Sequence, residues 1–256
     1  MRTRTILFTR PTHEWIGRVN QKHKELGELH LAEKERATLD RWIETEFVYS
    51  TLLLDEVDIT REQVSRIVSP PVSAAVGDWS DQATALLESL RAVTSLARAH
   101  GRAAALTVDL LQTLHNIPDA TGGLPVFRKN AGDSAGPVKP VAPEHLAAVL
   151  ESACQWYTVE SFMELHPVEQ ASIVFLRLIG IQPFEQANER TALVAASLFT
   201  LRNMLPPIII KPEMRSAYRN AIDEGTKINT KPMVELVAEA VEQALSQMIE
   251  QAKREG

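Results

Sequence analysis

Apolar residues recur at three- and four-residue steps through Glu14 to His30, Ala32 to Leu54, Asp81 to Ala99 and Met233 to Lys253, stretches otherwise rich in Ala, Glu, Gln, Lys and Arg. That period marks one face of an α-helix, and these side chains lose little on entering one. Shorter helices are signalled by their ends. Thr60 with Gln63 has the form of a capping box, Pro143 opens a stretch to Tyr157, and Pro212 to Glu224 stops before Gly225. Pro167 to Ile181 sets Ala171, Val174, Phe175, Leu178 and Ile181 on one face. Asn188 is placed to cap a further helix, which Leu205-Pro206-Pro207 ends. The interior of that helix, Ala192 to Leu201, carries no charge and must be enclosed on nearly all sides. The pattern predicts an all-α fold with no solenoid repeat.

Two stretches break the period. Asp119 to Ala142 gathers Gly122, Gly123, Gly132, Gly136, Pro125, Pro137, Pro140 and the pair Asp133-Ser134, which suits an exposed loop or a short hairpin with arms Leu124 to Asn130 and Val138 to Val141. Ser69 to Ser80, with Pro70-Pro71 and Gly77, separates N-terminal helices at 1–68 from a core at 81–237. The whole chain, 1–256, reads as one compact unit.

A chain of 256 residues with 45% hydrophobic positions can build a sizeable core. The 27 Lys+Arg against 33 Asp+Glu leave a net charge of -6 and no basic face, which argues against nucleic acid or an anionic membrane as partner. Ala192 to Leu201 is about half the length a bilayer requires, so no membrane span is predicted. A lone cysteine, Cys154, excludes an internal disulfide and a four-cysteine zinc site and suits the cytoplasm. The seven histidines, His115 and His166 among them, show no metal-ligand spacing and read as surface or capping residues. Trp42, Trp79, Trp156 and Phe175 read as packing residues.

The segment from His166 to Pro207 carries the most information: an amphipathic helix, the polar loop QPFEQANER, and a buried helix. This arrangement puts a helix N-terminus, with its free amides and positive dipole end, at the bottom of a loop where a phosphate can sit. The loop resembles a worn copy of the Fic motif: His, any residue, Phe, any residue, Asp or Glu, Gly or Ala, Asn, Gly or Lys, Arg, two residues, Arg. The preceding helix, the LPP exit and a glycine-rich stretch containing Val126, Phe127 and Arg128, where Fic proteins carry a target-docking flap, fall in family order. The resemblance implies a Fic-like helical bundle with a small β-hairpin flap at 124–141. It further implies a loop that moves AMP from ATP onto a target hydroxyl, with magnesium on the phosphates.

Phe184, Ala187, Asn188 and Arg190 match the motif; the resemblance implies Gln182, Phe184, Gln186, Asn188 and Arg190 as the catalytic positions and Ala187, Asn188, Glu189 and Arg190 as the nucleotide or anion site. Four others depart from it. Gln182 stands for the histidine base, Gln186 for the acid, Glu189 for the second glycine and Leu193 for the final arginine. An amide takes up no proton near neutral pH, so Gln182 cannot supply general-base catalysis. Gln186 offers magnesium only a neutral carbonyl. Glu189, in the first helical turn, either lays a carboxylate where a phosphate would go or points to solvent.

A second resemblance lies upstream. Many Fic proteins carry an inhibitory helix whose motif, Ser or Thr, three residues, Glu, then Gly or Asn, pairs its glutamate with the final loop arginine. Here Thr51 and Asp55 take the matching places, but Leu193 cannot form that salt bridge, so both ends of the inhibitory pair have changed. The expectation is a binding or regulatory pseudoenzyme with absent or weak AMPylation; the alternative is an active transferase using another donor or base, Glu185 for instance. No metal site or cofactor is expected, ATP with magnesium only if activity survives. A protein target or regulatory partner is expected, and self-association is left open.

Overall fold

A computed structural model describes residues 14–69, 78–115, 127–131 and 140–255. The helices run α1 (Glu14–Gly27), α2 (Glu33–Leu54), α3 (Arg61–Val68), α4 (Asp78–His100), α5 (Val108–His115), α6 (Leu146–Trp156), α7 (Glu160–Met163), α8 (Pro167–Ile181), α9 (Asn188–Leu201), α10 (Arg215–Thr226) and α11 (Lys231–Glu255). The fold is all-helical, as the periodicity predicts, and no strand occurs among the described residues. The expected hairpin is therefore not seen, although part of its arms, 124–126 with Val126 and 138–139, lies outside the described residues.

Several boundaries follow from local chemistry. Thr60 and Gln63 form the expected capping box, with the Thr60 N–H donating to Gln63 Oε1 at 2.7 Å and the Gln63 N–H to Thr60 Oγ1 at 3.3 Å. His166 opens α8, its N–H donating to Glu169 Oε2 at 2.9 Å while its Nδ1 accepts from the Val168 N–H. Helix α4 begins at Asp78, earlier than the Asp81 expected from the pattern, and α1 stops at Gly27 rather than His30. Trp156 is 45% exposed yet packs on Phe162, ring centroids 4.9 Å apart, so it is a packing residue at the surface rather than in the core.

The centre of the molecule is α9. Thr191 to Thr200 are all buried, as an uncharged helical run requires, and α8, α4 and α5 surround them. Helix α8 packs in turn on α11, α10 and α6. The far end of α9 is fixed by Arg202, 4% exposed, which donates to Ala104 O at 2.8 Å and Gln170 Oε1 at 2.8 Å. The chain then returns through Leu205 to Ile210, every residue buried, with the Ile208 N–H donating to Ser197 Oγ at 3.0 Å. With one end anchored in this way, the N-terminus of α9 holds a fixed position at the molecule's surface. No helix of the described residues is long and apolar enough to cross a membrane.

Candidate functional site

The loop between α8 and α9 is closed by its own side chains. Gln182 ends α8 in the left-handed region, φ 47°, with its N–H donating to Leu178 O at 2.9 Å. Phe184, 1% exposed, plugs into the core. Asn188 does not cap α9 as the sequence suggested. It is the first helical residue, and its amide reaches back to Phe184, accepting from the Phe184 N–H at 2.9 Å and donating to Phe184 O at 2.7 Å. That two-way bond satisfies both backbone groups of a residue whose ring is buried, which a capping bond would leave open. Ala187 takes the capping position instead, at φ 53°. The amides of Asn188, Glu189 and Arg190 thus have no acceptor within the helix.

The charges around this helix start are not where the motif alone placed them. Arg190 Nε stands 2.8 Å from Asp55 Oδ2 at the end of α2, with side chains 15% and 22% exposed. The two atoms are out of line for a directional hydrogen bond, so the contact is an ion pair. The expectation that Asp55 had lost its arginine is overturned: the carboxylate meets the arginine one turn earlier, while Leu193, 3% exposed, joins the core. Arg190 Nη1 also donates to Gln82 Oε1 of α4 at 3.3 Å. Burial raises the Asp55 pKa, Arg190 pulls it down and Glu189 pushes it up, leaving it above the ordinary carboxylate value.

Glu189 neither occupies the helix mouth nor points to open solvent. It leans onto α10, accepting from Arg219 Nη1 at 2.7 Å and from the Tyr218 hydroxyl at 3.1 Å. Buried Tyr218 is held protonated, first by burial and then by this carboxylate. The first turn of α10 also fixes the end of α2: Arg215 donates to Leu53 O and to Glu56 Oε1, the latter at 2.8 Å. Glu56 stands at φ 63°, in the position where the inhibitory motif has Gly or Asn. A left-handed backbone explains that preference, and the Arg215 contact helps hold a glutamate there. Thr51, one turn before Asp55, is buried at 3% exposure.

Of the flap residues, Phe127 and Arg128 are described. Phe127 lies against Phe184 at 5.7 Å between ring centroids. Arg128, 2% exposed, does not face outward to a target. Its Nε donates to Gln182 O at 2.6 Å, Nη1 to Asn130 O at 2.7 Å, and Nη2 to Ile181 O at 3.2 Å and to Val141 O. Its own N–H donates to Pro183 O at 2.9 Å. The last carbonyls of a helix lack internal donors, and a guanidinium fork supplies several at once.

His115, read from sequence as a surface or capping residue, belongs to the site. At the end of α5 it stacks on Phe184, ring centroids 3.7 Å apart and 3° from parallel, with Nδ1 3.0 Å from Thr191 Oγ1. Burial, and secondarily Arg190, lowers its pKa to about 4, so the ring is neutral at pH 7. The available signal was Leu111, fully buried one helical turn earlier, which puts position 115 on the inward face.

Chemically, the site offers free amides and one arginine to an anion, but no base at Gln182. Glu185 and Gln186 are exposed at the loop's crest, and the position the resemblance assigns to a magnesium ligand carries an amide; the residues present do not fit the ion.

Residues 105–200 match the Fic/DOC family. Protein adenylyltransferase fic-1 of Caenorhabditis briggsae is 32% identical over 114 residues, 44% of this chain and 22% of that protein. Protein adenylyltransferase Fic of Drosophila virilis is 29% identical over 134 residues, 52% and 27% respectively. The chain thus spans about a quarter of these relatives' length. In fold, it is similar to the crystal structure of a Fic domain containing signaling protein from Bacteroides thetaiotaomicron, with a TM-score of 0.80 at 21% identity over 93% of this chain and 99% of the other.

Proposed function

On the premise that residues 105–200 are a Fic/DOC segment with a degenerate motif, set in a Fic-like helical fold, we propose that the chain is a regulatory pseudoenzyme. It binds a phosphate-bearing ligand at the α9 N-terminus and transfers adenylyl groups weakly or not at all. The observation that carries this reading is the Asp55–Arg190 ion pair beside a loop with Gln182 at its start. The one loop arginine able to take an anion is held by a carboxylate, and nothing at position 182 can accept a proton from an attacking hydroxyl. Glu189 is drawn aside by Tyr218 and Arg219 rather than set across the free amides, and in this reading anion binding persists where catalysis does not. A protein partner reads the state of this loop in the cytoplasm, where a lone, half-buried Cys154 stays reduced.

Two measurements test the proposal. Incubation of the chain with ATP labelled on the α-phosphate, magnesium and a panel of proteins gives no transfer above background. Titration calorimetry with ATP gives weak binding that tightens in Asp55→Asn. Robust labelling that disappears when Gln182 to Arg190 are replaced overturns the proposal, as does a complete lack of ATP binding in both proteins.

A further inference from the structure

The turn from Phe184 to Asn188 has two ends, and both reach one imidazole. At the first end, the His115 ring lies flat on Phe184 at 3.7 Å. At the second, Thr191 Oγ1 donates to Ala187 O at 3.0 Å and stands 3.0 Å from His115 Nδ1. A hydroxyl has one proton. Once it is given to Ala187 O, the short contact to Nδ1 is bonding only if the imidazole carries its proton on Nδ1 and donates to the hydroxyl oxygen. The acceptor at the end of this chain is the carbonyl of Ala187, the left-handed residue at the capping position of α9, φ 53°. A non-glycine residue held there is strained and persists only if its surroundings hold it.

We propose that His115 is a positioning residue of the loop: its Nδ1–H, passed through Thr191 to the Ala187 carbonyl, and its ring, clamped on Phe184, together aim the amides of Asn188, Glu189 and Arg190 at a bound phosphate. This extends the binding role proposed above and rests on it for the ligand, but not for the hydrogen-bond chain. No contact of His115 with a reacting atom is implied, and the neutral ring it needs is the form that burial favours. Phe127 also lies against Phe184, ring centroids 5.7 Å apart, so His115 and Phe127 meet the same loop ring.

The experiment separates donor from ring in the full chain. His115→Phe keeps a flat ring on Phe184 and removes the donor; His115→Asn removes the ring but offers an amide N–H at the place of Nδ1; Thr191→Val deletes the relay. Nitrogen-15 NMR of the parent shows a pyrrole-type Nδ1 and a pyridine-type Nε2 for His115. Titration with ADP and with inorganic pyrophosphate shows binding about tenfold weaker in His115→Phe and in Thr191→Val, with little further loss in the double variant, and partial recovery in His115→Asn. The amide resonances of Ala187 to Arg190 shift in His115→Phe and move back in His115→Asn. A pyridine-type Nδ1, losses that simply add in the double variant, or unmoved loop amides in His115→Phe overturns the inference. If the parent binds neither probe, the ligand reading fails, and the NMR signatures still decide the role of His115.

Discussion

Replacing Asp55 by Asn tests whether the ion pair at the loop exists for stability or for control. At 2.8 Å and an effective dielectric constant of about 20, the attraction between Asp55 and Arg190 is about 6 kcal/mol. Against it stand the desolvation of two largely buried ions, several kcal/mol each, and repulsion of Asp55 by Glu189. The raised pKa of Asp55 means that this balance is unfavourable to the carboxylate. The neutral isostere therefore does not destabilise the chain at neutral pH, where each 1 kcal/mol would appear as about 2 to 4 °C in Tm for a chain of this size. Removing a net-stabilising buried partner would instead cost about 3 to 5 kcal/mol. The sign with pH follows. A carboxyl whose folded pKa is raised binds more protons folded than unfolded, so the parent is most stable relative to Asp55→Asn below the ordinary carboxylate pKa. It loses that advantage as pH rises through the folded value. Meanwhile Arg190 is released, and ATP binds more tightly to the variant. Thermal melts between pH 4 and 8 and ATP titrations check both halves. A fall in Tm of 10 °C or more at pH 7, or unchanged ATP affinity, refutes the reasoning.

Other outcomes follow from the same geometry. Arg128→Ala strips donors from four backbone carbonyls and destabilises the chain by about 3 kcal/mol in chemical denaturation; Arg128→Lys recovers only part, since a point charge cannot serve as a fork. Gln182→His alone gives no adenylyl transfer in the labelled-ATP assay, because Gln186 still offers no carboxylate and Asp55 still holds Arg190. Glu189→Gln loosens the contact to Arg219 and Tyr218, and by removing a like charge that raises it, brings the Asp55 pKa down, read by carboxyl NMR titration. Lowering pH from about 6.5 towards 4 destabilises the chain, because His115 and His166, both depressed to about 4 mainly by burial, take up protons more readily unfolded; His115→Phe flattens that slope in pH-dependent melts.

The helical scaffold was legible because its signals are local. The uncharged run at Ala192 to Leu201 implied an enclosed helix, and α9 is enclosed; Thr60 and Gln63 implied a cap, and they form one. The site was legible as a set of residues but not as a set of partners. Motif spacing assigned Asp55 to position 193, yet which arginine a carboxylate meets depends on how α2 crosses α9, which no spacing encodes. The same holds for Glu189, whose two readings both overlooked α10, nearly 30 residues downstream. Asn188 suited a capping role by residue type alone, but the buried ring of Phe184 left two backbone groups that needed its amide more. Arg128 was read as part of an outward flap, whereas the open carbonyls ending α8 turned it inward.

Arg128 has one more consequence. Its fork grips Gln182 and Ile181 on one side and Asn130 and Val141 on the other, so these two strips of backbone behave as one lever. A molecule that displaced the stretch beside Phe127 by even an ångström would tug the residues leading into Phe184 along with it, and the pull would arrive before any atom of the visitor did.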